Sequence, residues 1–292
     1  VSRLCQVLQV SRTGYYKWRA KEKSPSQAKK EEAHVLINHI FYEKRQVYGS
    51  PRIKKELEKK EVFLAEKTVA NYMRDLVLCA LMPSKYKTTT NSNHDHPIYP
   101  NLLMRNFSVD APNKVWVADI TYIWTLEGWL YLATVMDLFS RKIVGFNIAA
   151  DLSKELPKLA LERALIFRSP RKGLIHHSDQ GSQYASTDYV DLLKEKKCKI
   201  SMSRKGDCYD NACIESFHST IKKELIYRRK FMTREEARMA VLDYIISFYN
   251  EKRSHSTLNY VSPNDFEKAY QNDKEQNAQQ PPATFVKEQL SF

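Results

Sequence analysis

No apolar run in this sequence reaches the roughly 18 residues that a membrane span requires. The opening stretch, VSRLCQVLQVSRTGYYKW, has neither the apolar middle nor the small-residue cleavage site of a secretory leader. The expectation is therefore a protein that is neither secreted nor embedded in a membrane. Cys5, Cys79, Cys198, Cys208 and Cys213 are scattered, odd in number and without a C-x-x-C pair, which suits a reducing cytoplasm. Cys208 and Cys213 lie near His218 in sequence, yet four converging zinc ligands cannot be assembled from them. No tandem repeat and no sustained heptad is present. Acid is also scarce: 34 Asp+Glu stand against 47 Lys+Arg, giving a formal charge of +13. Such an excess predicts attraction to a polyanion, with nucleic acid ahead of a membrane, because no basic helix with an apolar face stands out.

At 292 residues more than one domain is expected. Residues 1–25 read as a helix, a break and a second helix that Ser11 can cap, a partial helix-turn-helix remnant. Residues 26–84 read as a compact helical, helix-turn-helix-like DNA-binding domain. In it Val35, Ile37, Ile40 and Phe41 form an apolar stripe, a helix begins after Pro51 with Ile53 and Leu57 inward, and TVANYMRDLVL turns Val69, Tyr72, Met73 and Leu76 to one side. Lys67, Asn71 and Arg74 are left on the outer face, the basic and amide-bearing surface a major-groove reader needs. Residues 85–107, rich in Pro, Thr and Asn and without periodicity, read as a linker; His94 and His96 within it have no cysteine partner nearby.

From residue 108 the pattern becomes strand, strand, strand, then helices and strands in alternation. NKVWVADITYI and GWLYLATVMDLF are strands, and a short Ser-Arg turn leads to a third, SRKIVGFNIAA. A helix, the strand KGLIHHSD, a helix, the strand KISMS and the helix DNACIESFHSTIKKELIY follow. The order predicts an α/β, ribonuclease-H-like mixed five-stranded sheet flanked by helices over residues 108–228. Residues 229–272 form a C-terminal helical extension opening on a capping box from Thr233 to Glu236, and residues 273–292 a polar tail expected to be disordered.

Asp119 lies inside the apolar first strand, sharing a face with Val117 and Thr121, where an ionised carboxylate is costly unless paired or metal-bound. Asp179 ends the fourth strand. In a sheet ordered three, two, one, four, five these strands are neighbours, and Glu215, on the stripe of its helix that also carries His218, Ser219 and Lys222, can lean over both. Thirty-five residues separate Asp179 from Glu215. Three carboxylates suit hard divalent ions, which prefer oxygen and take further ligands from phosphate. Two such ions about 4 Å apart can activate water or a 3′-hydroxyl and stabilise the leaving oxygen.

YGSPRIKKEL, VWVADITYIWTLEGWLYLATVMDLFSRKIVGF, HHSDQGSQY and SMSRKGDCYDNACIESFHSTIKKEL complete the pattern. Through them, residues 26 to 270 resemble the second reading-frame product of insertion-sequence transposases of the IS-three family, whose catalytic core is similar to that of retroviral integrases. The resemblance implies an acid triad at Asp119, Asp179 and Glu215, which bind two Mg²⁺ ions, with Mn²⁺ as a substitute. It further implies cleavage and strand transfer of element ends, and a basic residue, Lys222, touching end DNA. DNA ends, target DNA, further copies of the chain and an upstream-frame DNA-binding partner or fusion are the implied partners, inside a bacterial cytoplasm at the nucleoid. The paired His and Cys that precede retroviral cores are missing.

Around Asp179, Gln180, Gly181 and Tyr184 are placed close to DNA, glycine letting backbone approach a phosphate. His177 is placed beside Asp179, positioning it or DNA, and His176 in packing. Asp137 is expected in a turn with Ser140 or Arg141, Asp207 and Asp210 in shaping a loop, and Asp210 or Asn211 as a cap for the Glu215 helix. Two other functions share these features: a hydrolysis-only nuclease of the same fold, and a sequence-specific repressor with an inactive core.

Overall fold

The structure is a computed structural model that describes residues 1–20, 24–80, 97–204 and 208–279, with backbone alone at 208, 209 and 277–279. The chain forms two compact units, Val1–Ala80 and Leu81–Phe292. His94, His96, Asp207, most of the expected linker and residues 280–292 of the tail lie outside the described residues. No helix among the described residues is long and apolar enough to cross a membrane.

The first unit is helical: α1 Ser2–Val7, α2 Arg12–Ala20, α3 Pro25–Glu43, α4 Ser50–Glu58 and α5 Glu66–Asp75. Ser11 Oγ accepts from the Gly14 amide at 2.9 Å, as a cap should, and Ser24 does the same for Gln27 at the start of α3. Ile37, Ile40 and Phe41 pack with Tyr48, Ile53, Leu57, Val69 and Met73 into one core. Val35 corrects the expected stripe. It is 69% exposed, because two residues turn a helix by about 200° and carry it away from Ile37; Ala33, one turn before Ile37, is buried instead.

The second unit is built on a sheet of β1 Val115–Thr125, β2 Gly128–Asp137, β3 Ile143–Ala149, β4 Ile175–Ser178 and β5 Lys199–Met202. Its order is β3-β2-β1-β4-β5, as the sequence implied, with β1 antiparallel to β2 and parallel to β4. The turn between β1 and β2 is two residues, Leu126 and Glu127, which fixes the register and sets Asp119 opposite Thr134. The β2–β3 connection is longer than the expected Ser-Arg turn. It runs from Leu138 to Lys142, with Arg141 at φ 60°.

Along β1, alternation divides the sheet's two sides. Trp116 and Ala118 join Ala133, Val135 and Val144 in a core closed by α6 Glu155–Arg168 and α8 Thr187–Glu195, with the short α7 Ser182–Ala185 beside it. At β3 the helix comes so near that a Cβ on Gly145 would stand 2.3 Å from the Ala160 carbonyl oxygen. The opposite side, which carries Asp119, receives α9 Ala212–Glu224.

The C-terminal segment closes onto the sheet rather than hanging from it. α10 Arg234–Asp243 starts on the expected box: Thr233 Oγ1 accepts from the Glu236 amide, and Glu236 accepts from the Met232 amide. A π-helical stretch, Tyr244–Tyr249, then buries four side chains. Asn250 grips β3 through both its amide atoms, accepting from Ile143 N and donating to Ile143 O at 3.0 Å each. α11 Pro263–Gln279 runs on past residue 272, so residues 273–279 are helical and not part of a disordered tail. Arg168 forks onto Glu267 of α11 at 2.7 and 2.8 Å, and Ser140 Oγ donates to the same carboxylate at 2.7 Å.

Residues 97–107 also depart from a free linker. Leu103 is buried, the Leu102 amide donates to Ser201 Oγ, and the side chain of Asn101 donates to Asp210, all within the second unit. Nonperiodic sequence concealed a segment fixed by its side-chain amide and backbone.

Candidate active site

β4 stops at Ser178, one residue past the pairing of His177 with Val117 of its parallel neighbour, so Asp179 follows the end of β4 beside the middle of β1, where Asp119 lies. Both carboxylates act on the same tyrosines: burial first, then neighbouring charge that includes Asp119 and Asp179, pushes the Tyr122 and Tyr184 hydroxyls above their ordinary range. Asp119 is mostly buried. Its Oδ1 accepts from the Ile120 amide at 2.8 Å, and its Oδ2 lies 3.1 Å from His218 Nδ1. Asp179 Oδ1 accepts from the Gly181 amide at 2.9 Å, a local turn that fixes the carboxylate at the strand's mouth.

Glu215 stands in the first turn of α9 and is half-buried. Burial raises its pKa, and the charge of Asp119 raises it further. Lys222, two turns along the same stripe, is also half-buried; burial lowers its pKa while Asp119 partly restores it. Asp119 is thus the charge that both Glu215 and Lys222 sense. Among the described residues, no three His, Cys, Asp or Glu side chains are drawn together closely enough to hold a metal ion as they stand. Asp119 is engaged with His218, and Asp179 with its own loop.

The other sequence-derived residues divide. Gln180 is half-buried and ties the loop to the end of β5 by donating to the Ser203 carbonyl at 2.9 Å. Gly181 is buried with φ −63°, a conformation open to any residue, so its value is space: a Cβ there would press within 3.0 Å of Asp179 Oδ1. Tyr184 is a correction. It is 2% exposed, packed edge-on to Tyr189 beneath the sheet, and presents no side-chain surface to a DNA strand. His177 is a second correction, fully buried with Nδ1 2.8 Å from Ser201 Oγ, and burial pushes its pKa down to about 4. His176 packs as expected, against Tyr189, whose hydroxyl is 3.0 Å from its Nε2. Lys67, Asn71 and Arg74 are exposed on α5 in the first unit, with Arg74 donating to Asn71 at 3.3 Å.

Two expected local roles are replaced. Asp137 makes its side-chain bonds to groups other than Ser140 and Arg141. It accepts from the amides of Asn113 and Phe139 and from Trp116 Nε1, near Arg168, and burial raises its pKa. Asp210 and Asn211 do not cap α9 through their side chains. Asp210 accepts from Arg204, Arg105 and Asn101, with Arg204 first and Arg105 next holding it well below the usual carboxylate range, and Asn211 donates to the Ala118 carbonyl.

His218 and Thr134 are the residues of this site that the sequence reading missed. The signals were present: His218 falls between Glu215 and Lys222 at helical spacing, and counting back from the two-residue turn sets Thr134 opposite Asp119.

Comparison with known proteins agrees with this architecture. Residues 109–208 and 196–263 match two families described as Integrase core domain, and residues 27–86 match the HTH-like domain family. The chain is 42% identical over 267 residues to the "Insertion element IS600 uncharacterized 31 kDa protein" of Shigella sonnei, covering 91% of this chain and 98% of that one. It is 39% identical over 269 residues to "Transposase InsF for insertion sequence IS3A" of Escherichia coli K12, covering 91% and 93%. Among solved structures it is similar to the HTLV-2 integrase catalytic core domain in complex with magnesium, with TM-score 0.41 and 15% identity, over 53% of this chain and 97% of that one. With nine-tenths of its length aligned at such identity, the chain belongs to the IS3 family of insertion-sequence transposases, DDE-type polynucleotidyl transferases with an integrase core domain.

Proposed function

We propose that this chain cuts DNA at the ends of an insertion sequence and joins those ends to target DNA, with Asp119, Asp179 and Glu215 as the catalytic acids. The observation that carries this reading is the charge of Asp119 acting on the half-buried Glu215, beside the end of β4 that Asp179 follows, in a chain of net charge +13. A half-buried carboxylate whose ionisation is opposed by burial and a neighbouring charge is what a divalent cation relieves, and an all-oxygen donor set fits Mg²⁺ or Mn²⁺. Asp119, Asp179 and Glu215 would hold the ions, two in the reading favoured here, which supply charge neutralisation at the reacting phosphate when bound.

The remaining work falls to the chain's own groups. Lys222, with its ammonium half-withdrawn from water, lies along α9 from Glu215 and is placed to hold a phosphate of the end DNA. The Asp179 loop, fixed by the Gly181 amide and by Gln180, borders the strand mouth. In cleavage the oxygen of water, and in joining the oxygen of a 3′-hydroxyl, forms a new bond to phosphorus as the opposite ester oxygen leaves; the nucleophile gives its proton to solvent and the leaving oxygen takes one up. α5 offers Lys67, Asn71 and Arg74 to duplex DNA. Two ends must meet, so further copies of the chain assemble on DNA, and an upstream-frame DNA-binding partner or fusion completes end recognition at the nucleoid.

The test is strand transfer of a labelled duplex carrying the ends of the encoding element, with Mg²⁺ or Mn²⁺, with and without the upstream frame. Wild type should yield joined products that Asp119→Asn, Asp179→Asn and Glu215→Gln each reduce to background. Cut but unjoined DNA would mark a hydrolysis-only nuclease, and binding without cutting a repressor; either outcome overturns the reading.

A further inference from the structure

His218 is 5% exposed and bonded at both ring nitrogens. Nδ1 lies 3.1 Å from Asp119 Oδ2 and Nε2 lies 2.8 Å from Thr134 Oγ1. Thr134 is fully buried and pairs with Asp119 across the β1–β2 ladder, so strand, partner strand and helix meet in one chain of hydrogen bonds. An ionised carboxylate can only accept, which places a proton on Nδ1. Thr134 Oγ1 meets Nε2 and also donates to the Asp119 carbonyl at 3.4 Å. With Ile120 N bonded to Oδ1, both oxygens of Asp119 have a fixed donor, and each keeps lone-pair capacity for a cation.

We propose that His218 is the positioning residue of the acid site: it aims the Asp119 carboxylate and ties α9, which carries Glu215, to β1. The inference rests on the functional reading above. The tie matters because Asp119 and Glu215 repel, and a helix bearing one of them is otherwise pushed from the strand bearing the other. Thr134 sets the ring's orientation from behind. Donors that orient a metal-binding carboxylate are typically worth about 10- to 100-fold in metal affinity.

The experiment is titration of the full chain with Mn²⁺ alone, followed by calorimetry and by the metal-dependent rise in unfolding temperature, beside the Mn²⁺ concentration for half-maximal cleavage. His218→Ala should raise the half-saturating Mn²⁺ at least about tenfold, in calorimetry and in cleavage alike. His218→Asn, which returns an N–H donor near the place of Nδ1, should recover most of that loss, and Thr134→Val should shift in the same direction by less. Unchanged Mn²⁺ affinity in His218→Ala, or His218→Asn as impaired as His218→Ala, would overturn the proposal. Should His218→Ala fail to fold, His218→Asn and Thr134→Val decide: wild-type Mn²⁺ affinity in Thr134→Val together with no binding in His218→Asn counts against it. Asp119→Asn separates the two readings. If Mn²⁺ affinity is lost there and kept in His218→Ala, positioning alone falls; if Asp119→Asn binds Mn²⁺ like wild type, the acid-site reading falls with it.

Discussion

Glu224 and Arg253 meet in a two-point ion pair, Nε to Oε2 at 2.8 Å and a terminal guanidinium nitrogen to Oε1 at 2.7 Å, with both side chains almost wholly withdrawn from water. Glu224 is the last residue of α9, so the segment after α10 grips the far end of the helix that carries Glu215. The Tyr244 hydroxyl donates to the same carboxylate at 2.6 Å. Removing one partner strands a buried charge, which costs about 3–5 kcal/mol. Arg253→Met should therefore lower the urea midpoint sharply, and Arg253→Met with Glu224→Gln should lose less than the two single losses combined. A midpoint equal to wild type in Arg253→Met would show the pair to be dispensable.

Gly145→Ala should destabilise the second unit. Its new methyl would meet the Ala160 carbonyl oxygen at 2.3 Å and Ala164 Cβ at 2.6 Å, and backbone of α6 cannot step aside as a flexible side chain could. Overpacking of this kind costs about 1–3 kcal/mol, read as a shift of the denaturation midpoint with unchanged slope.

Stability should fall between pH 6.5 and pH 4 in part through His176. Burial pushes its pKa down to about 3, its neighbours being the Tyr189 hydroxyl and the ring of His177. The unfolded chain then takes up a proton that the folded chain refuses, so stability is full above the ordinary histidine range and is lost as pH falls, by about 1.4 kcal/mol per pH unit. His176→Phe should flatten that part of the profile in chemical denaturation at stepped pH. An unaltered slope would refute the assignment.

The two surfaces proposed to bind DNA should separate by salt. Lys222→Met should weaken binding to end and random duplexes alike and reduce the salt slope by about one unit, as expected for a phosphate contact. Asn71→Ala with Arg74→Ala should cost more on end DNA than on random DNA if α5 reads bases, and equal losses on both would reduce α5 to a backbone grip. Fluorescence anisotropy over a salt series distinguishes these outcomes.

What could be read in the sequence was what repeats locally. β-branched runs gave the strands, their order gave the sheet, and an aspartate amid VWVA and ITYI marked the strand mouth before any neighbour was known. What could not be read depends on distant partners. Glu267 finds Arg168 across 99 positions, and Arg105 finds Asp210 across 105, with no periodicity to announce either. Tyr184 and His177 misled for a related reason: a motif says that residues are close to a site, while burial decides which of them faces it. Val35 was a simpler error of phase around α3.

The Arg168–Glu267 fork bears on timing during synthesis. Arg168 lies against Asp137 and is nearly buried, so until Glu267 emerges from the ribosome this cation has only part of its eventual compensation. Units earlier in a chain generally fold first as it is made. The helical first unit, whose core closes by Met73, can therefore be complete while the catalytic sheet is still open at α6. A nascent chain would acquire its helical first unit well before it acquires a finished second unit, and a synthesis stalled before α11 would leave the former without the latter.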